Sequence, residues 1–128
     1  MVLPLRTLTD AGVILAGSSD YPVVDFDVLA SVQAAATRRT RSGLQCEPEE
    51  ALSVEEGLRA YTAGSALALG VDNVAGTLQP GKRADIVVLS DDPTQIDVDT
   101  LTTVIVRRTY VGGELAFATA SEIPITAQ

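Results

Sequence analysis

Histidine is absent from this chain. Imidazole is the usual general acid–base near neutral pH and the commonest metal ligand. Its absence removes Ser-His-Asp and Cys-His catalysis, and every histidine-based metal centre, from what the chain can do alone. The single cysteine, Cys46, excludes a disulfide framework and a thiolate zinc site. Without a histidine to activate it, Cys46 is also a poor nucleophile. Tryptophan is missing too, and three Tyr and two Phe are all the aromatics there are, so Ala, Val and Leu must fill the interior.

Positive charge is scarce. Nine Lys and Arg against seventeen Asp and Glu leave a net charge of −8, the opposite of the basic face that nucleic acid requires. The one basic cluster, Arg38-Arg39-Thr40-Arg41, follows a stretch of helical spacing, where cations complement the negative end of the helix dipole. No apolar run approaches the ~20 residues of a membrane span. The opening MVLPLRTL lacks the basic region and apolar core of a signal peptide. A reducing, cytoplasmic setting without membrane or nucleic-acid partners is the expectation.

What is present is a chain of 128 residues, 46% hydrophobic and 20% charged, which suits one ordinary domain or part of a larger one. Its organising stretch is Asp10–Val24, DAGVILAGSSDYPVV. Four apolar residues, Val13-Ile14-Leu15-Ala16, lie between Gly12 and Gly17, which predicts a strand buried on both faces. The strand would deliver Ser18-Ser19-Asp20 at its C-terminal end, where α/β barrels place their chemistry, and Asp20 is therefore the first candidate for a reactive residue.

Leu3, Leu5 and Leu8 before Gly12 predict a helical turn or two closing at that glycine. A helix over about 27–39 follows the Pro22 loop; Asp25 and Asp27 at its start read as caps rather than as a catalytic pair. Ser42–Pro48 is a polar connection. Ser53-Val54-Glu55-Glu56 is a capping box, and the helix it opens carries Val54, Leu58, Tyr61, Ser65, Ala66 and Leu69 on one face before Gly70 ends it. Gly64 costs that helix ~1 kcal/mol against Ala, and close packing is the expected reason for it.

Beyond Gly70–Asn73 the pattern changes to strands and turns, which suggests a division into residues 1–70 and 71–128. Pro80-Gly81 reads as a type II turn, Ile86–Leu89 as a buried strand, and 103–111 with 114–118 as a hairpin about Gly112-Gly113. Residues 119–128 look like a loose tail. Asp91, Asp92, Asp97 and Asp99 read as a solvated acidic loop rather than a cation site. Gly76 to Lys82 fits G-x-x-x-x-G-K, but Arg83 replaces the required Ser or Thr, so no P-loop is assigned; Lys82 and Arg83 read as solvated.

The order GSSDYP (17–22), LSVEEGLRAYT (52–62), GTLQPGKRADIVVL (76–89) and TYVGG (109–113) resembles the C-terminal third of metal-dependent amidohydrolases. It is most similar to the amidohydrolase 3 branch, which includes imidazolonepropionase-like and N-acyl-amino-acid-deacylase-like enzymes. The resemblance implies an α/β to α+β chain: the last strand and helices of a (β/α)8 barrel, followed by a small mixed β-domain of composite-sandwich strands. It implies that Asp20 is a ligand of a divalent metal, zinc foremost, and the base toward water in hydrolysis of carbon–nitrogen bonds. Such a barrel takes ~250 residues, and the histidine ligands of its earlier strands have no counterpart here. The expected activity is therefore that of a hydrolase part, inactive alone. Two alternatives stand beside it: a self-associating module, with homo-oligomers made through unpaired strands, or a subunit completing a site in trans with the missing N-terminal barrel portion.

Overall fold

The computed structural model describes residues 3–120, so the expected tail lies, from residue 121 onward, outside the described residues. Helix α1 (Leu5–Asp10) starts after Pro4 and ends at the expected glycine. Gly12, at φ +81°, donates its N–H to the Thr9 carbonyl at 2.9 Å, and Val13 donates to the Leu8 carbonyl at 3.0 Å. That pair of bonds is the Schellman closure, which satisfies carbonyls the helix would otherwise leave bare.

Helix α2 (Val28–Thr37) is capped by Asp27, whose Oδ1 accepts the Ala30 N–H at 3.0 Å. Asp25 accepts the N–H of Phe26 at 2.8 Å, so both carboxylates serve local backbone donors. The helix stops at Thr37, short of the expected end, because Arg38 turns left-handed at φ +55°. The chain then doubles back about Gly43, with Thr40 N–H on the Leu44 carbonyl and Cys46 N–H on the Arg38 carbonyl, both 2.8 Å. The basic cluster does more than complement a dipole. Arg38 Nε donates to the Cys46 carbonyl, and Arg39 forks onto both carboxylate oxygens of Asp99 at 2.9 and 3.0 Å.

After a 3-10 turn at Pro48–Glu50, the capping box opens α3 (Val54–Arg59) as read: Glu56 N–H to Ser53 Oγ at 3.1 Å, Ser53 N–H to Glu56 Oε2 at 2.8 Å. The helix is not continuous. Residues Ala60–Gly64 widen into a π-turn before α4 (Ser65–Ala68) resumes. A second Schellman closure ends it, with Gly70 N–H on the Leu67 carbonyl and Val71 N–H on the Ala66 carbonyl, each at 2.9 Å.

The interior forms where α2 crosses α3. Val32 and Leu101 are fully buried and Val104 nearly so, with Leu29, Val54, Leu58, Tyr61, Leu89 and Ile96 packed round them. Leu101 arrives on a second 3-10 turn, Val98–Thr103, where a strand was expected from residue 103. Asp97 caps that turn by accepting the Asp99 N–H at 3.0 Å, and the Gln33 amide ties it to α2 through the Asp99 carbonyl and the Thr102 N–H.

The strands β1 (Ile86–Leu89), β2 (Val106–Val111) and β3 (Glu114–Ala118) form one antiparallel meander in that order, with Val88 opposite Arg108 and Thr109 opposite Phe117. Gly112 and Gly113 both take positive φ, as a two-residue hairpin turn of matching twist requires. Asp85 secures the turn by accepting the Gly112 N–H at 2.8 Å. The Pro80-Gly81 turn is also present, with Gly81 at φ +92° and Lys82 N–H on the Gln79 carbonyl. Helices ahead of residue 70 and an antiparallel sheet after 85 make the arrangement α+β.

One expectation is corrected here. Lys82 and Arg83 are not simply solvated: Lys82 Nζ donates to the Asp72 carbonyl at 2.6 Å and the Ala75 carbonyl at 3.4 Å, and Arg83 pairs with Asp85 at 2.9 Å. Both cations tie the 72–85 loop to itself, which a short-range charge pattern does not reveal. No helix among the described residues is long and apolar enough to cross a membrane.

Candidate functional site

The segment Val13–Ala16 runs extended, but it is not the doubly buried strand that its composition predicts. A strand is defined by its neighbours, and none of the described residues runs beside it. The N–H groups of Ile14, Leu15 and Ala16 make no backbone hydrogen bond there, and Ile14 is 66% exposed.

One side of the segment is nevertheless held closely, by the π-turn. Gly64 lies so near the Leu15 carbonyl that a Cβ would collide with it, which is the close packing expected for that glycine. The carbonyl of Ala60 accepts the Gly17 N–H at 2.9 Å, and Ser65 Oγ donates to the Gly17 carbonyl at 2.8 Å. The ring of Tyr61 lies flat against Gly17, where a Cβ would stand 2.5 Å from Cδ2, and its hydroxyl donates to the Ser18 carbonyl at 3.2 Å. Glycine at 17 and 64 is thus a matter of room. The helical spacing placed Tyr61 and Ser65 on an apolar face and gave no sign of these polar roles. The off-pattern Gly64 was the signal available.

Asp20 follows this anchored stretch. It takes the left-handed φ of +54°, its N–H reaches Ser18 Oγ at 3.3 Å, and its carbonyl accepts the Val23 N–H at 2.9 Å. The side chain is exposed, and its carboxylate accepts no hydrogen bond among the described residues. Beyond it Tyr21, joined to Pro22 by a cis peptide, meets Phe26 edge-to-face with ring centroids 5.5 Å apart.

Carboxylates on the other side of α3 are fully engaged. Glu50, buried, accepts both the N–H and the hydroxyl of Thr7, and these bonds hold its carboxyl below the usual range. Glu56 accepts from the Arg6 guanidinium and from the Ser53 N–H, in that order of effect, which brings its pKa down to about 2. Together they pin α1 to the start of α3. The acidic loop is spoken for as well: Asp92 caps Thr94, Asp97 caps its turn, Asp99 pairs with Arg39, and Asp91 accepts from the Ser90 hydroxyl. Cys46 is half-buried, its backbone N–H and carbonyl both serving Arg38.

Zinc normally takes three or four protein ligands. Among the described residues no group of three or more His, Cys, Asp or Glu side chains could hold a metal ion, and Asp20 is a single oxygen-bearing group in a chain with no imidazole. The donors this chain supplies do not by themselves fit a metal.

The helical hairpin, the seated segment ending in GSSDYP and the small antiparallel sheet define one class of protein. The model of the amidohydrolase family matches residues 1–117, and the chain belongs to that family. It is 36% identical over 116 residues to the N-substituted formamide deformylase of Arthrobacter pascens, covering 91% of this chain and 21% of that protein. It is 32% identical over 94 residues to the imidazolonepropionase of Bdellovibrio bacteriovorus, covering 70% and 19% respectively. The crystal structure of an amidohydrolase from Thermotoga maritima superposes with a TM-score of 0.65 at 28% identity, over 90% of this chain and 26% of that one. The chain thus spans about a fifth of the length of the curated relatives it matches.

Proposed function

We propose that this chain is one part of a metal-dependent hydrolase of carbon–nitrogen bonds, to which it contributes the Asp20 carboxylate while the remaining ligands come from polypeptide outside it. In this reading residues 1–70 are the last strand and helices of a (β/α)8 barrel, and 71–118 supply strands of a small sandwich. The observation that carries it is the seat of Val13–Gly17: clamped on the helical side, bare on its edges, and leading directly to an exposed carboxylate. An edge of unmade backbone bonds is a ready template for another strand. Barrel strands from the rest of the enzyme would pair with it, and would bring the missing imidazoles beside Asp20. The metal, zinc in this reading, is then held by the assembled enzyme, and the substrate class is an amide or formamide like that in the name of the Arthrobacter relative.

The chain alone is expected to hydrolyse no N-substituted formamide and to bind no equivalent of zinc at micromolar affinity. Mixed with a polypeptide carrying the earlier barrel strands, it gains a hydrolase activity that Asp20→Asn abolishes. Micromolar zinc binding by the isolated chain, lost on Asp20→Ala, would overturn the reading.

A second reading is favoured by the apolar surface. Ile14, Val23, Phe26, Leu69 and Leu78 are each 66–77% exposed, and among the described residues β1 and β3 each have one unpaired edge. Such a surface supports self-association through exchanged or paired strands. Sedimentation equilibrium separates the two: a homodimer persisting after the earlier barrel strands are added favours the second, its dissociation the first.

A further inference from the structure

We infer that Tyr61 and Ser65, with the Ala60 carbonyl, are positioning residues for the Asp20 carboxylate; the inference rests on the reading of Asp20 as the reactive group. In an α-helix each carbonyl is taken up by the amide four residues on. In the π-turn the Ala60 carbonyl instead takes the Ser65 N–H and is also met from outside by the Gly17 N–H, while the single proton of the Ser65 hydroxyl lies between it, at 2.9 Å, and the Gly17 carbonyl, at 2.8 Å. The same turn sends two side-chain hydroxyls back the other way, Ser65 to the Gly17 carbonyl and Tyr61 to the Ser18 carbonyl. Three successive peptide groups before Asp20 are thereby fixed, through the Gly17 N–H, the Gly17 C=O and the Ser18 C=O. The tether continues into the loop. Ser18 Oγ takes the Asp20 N–H, and the Asp20 carbonyl takes the Val23 N–H, closing a turn around a left-handed residue.

The arrangement is more specific than packing needs. Apolar contact of the Tyr61 ring with Gly17 would hold the segment down without fixing its rotation. Bonds to consecutive peptide groups fix rotation as well, and rotation decides where a carboxylate three residues on will point. A π-turn inside a helix is a common device at functional positions, and this one faces the segment that leads to Asp20.

The test uses the full chain, isotope-labelled, and needs no turnover. A residue at positive φ gives a strong intraresidue N–H to Hα cross-peak, so the Asp20 backbone can be read directly. Tyr61→Phe keeps the ring on Gly17 and removes only the hydroxyl; Ser65→Ala removes the other donor, and Ser65→Thr restores it. Each deletion is expected to weaken the Asp20 cross-peak and shift the Ser19 and Asp20 amides, while the methyl signals of Leu101 and Val104 stay in place. Ser65→Thr should return the amides toward their original positions. If both deletions lower the melting temperature but leave the Asp20 signals unmoved, the residues are structural supports only and the inference falls. Failure of the underlying reading shows elsewhere, as hydrolysis by the assembled enzyme that survives Asp20→Asn.

Discussion

Val32 and Gly57 are matched in shape: a Cβ added at 57 would stand 2.8 Å from Cγ1 of Val32, a side chain with no exposed surface. The helices α2 and α3 cross there, and the absent methyl sets their approach. Gly57→Ala gains ~1 kcal/mol of helix propensity but overpacks a closed core at a cost of about 2–3 kcal/mol. Urea unfolding should show a net loss of about 1–2 kcal/mol by that balance. Combining it with Val32→Ala should cost less than the sum of the two single changes, because the smaller side chain opens the room that the new methyl needs.

Gly64→Ala should be worse. There the obstruction is the Leu15 carbonyl, which is backbone and cannot rotate aside as a side chain could. An overpacking cost of about 3–4 kcal/mol, above the common range because backbone must move, less ~1 kcal/mol of helix propensity, leaves an expected loss of about 2–3 kcal/mol. Amide exchange at Gly17 should accelerate with it, since its bond to Ala60 depends on the same approach. An alanine variant as stable as the parent would show that the contact can open at little cost.

Acid should loosen α1. Glu56 has its pKa lowered from 4.5 to about 2 by Arg6 and Ser53, and that of Glu50 is lowered by Thr7. A depressed carboxylate pKa stabilises the fold above the unfolded value and is lost as pH falls through the folded one. For Glu56 the contribution is whole above about 4.5 and gone near 2. Melting temperature measured across that window should fall. Glu56→Gln should melt lower than the parent at neutral pH and converge with it at the acid end. A constant gap at every pH would remove the ion pair from the account.

Asp85 closes the hairpin from outside it, with one oxygen on the Gly112 N–H and the other on Arg83. Asp85→Ala should cost about 1.5–3 kcal/mol, the range for a hydrogen bond to a charged group. Asp85→Asn, which keeps an acceptor in reach of Gly112, should cost less. Equal losses in thermal melts would assign the effect to the Arg83 pair instead.

Local rules written in one or two residues were legible in the sequence. The capping box at Ser53–Glu56, the glycines that end α1 and α4 and the Gly112-Gly113 turn are each decided by backbone chemistry within a few positions. The family, too, could be read from the order of its motifs, from GSSDYP to TYVGG. What failed depended on partners far along the chain or outside it. Val13–Ala16 has strand composition, yet no strand forms without a neighbour. The π-turn stands where a regular helix was read, and it packs against Leu15, some fifty residues earlier, at Gly64. The Asp97-capped turn runs to Thr103, so the strand expected from residue 103 begins only at Val106. The anchoring of Asp20 was hidden for the same reason: Tyr61 and Ser65 act through main-chain atoms of residues 17 and 18, which leave no mark in side-chain periodicity.

The placing of Leu101 and Val104 against Val32 bears on how the chain matures during synthesis. A nascent polypeptide released only as far as Gly70 carries α2 and α3 with the far wall of their shared interior not yet made. These helices must wait, partly wetted, until some seventy further residues beyond Val32 have left the ribosome.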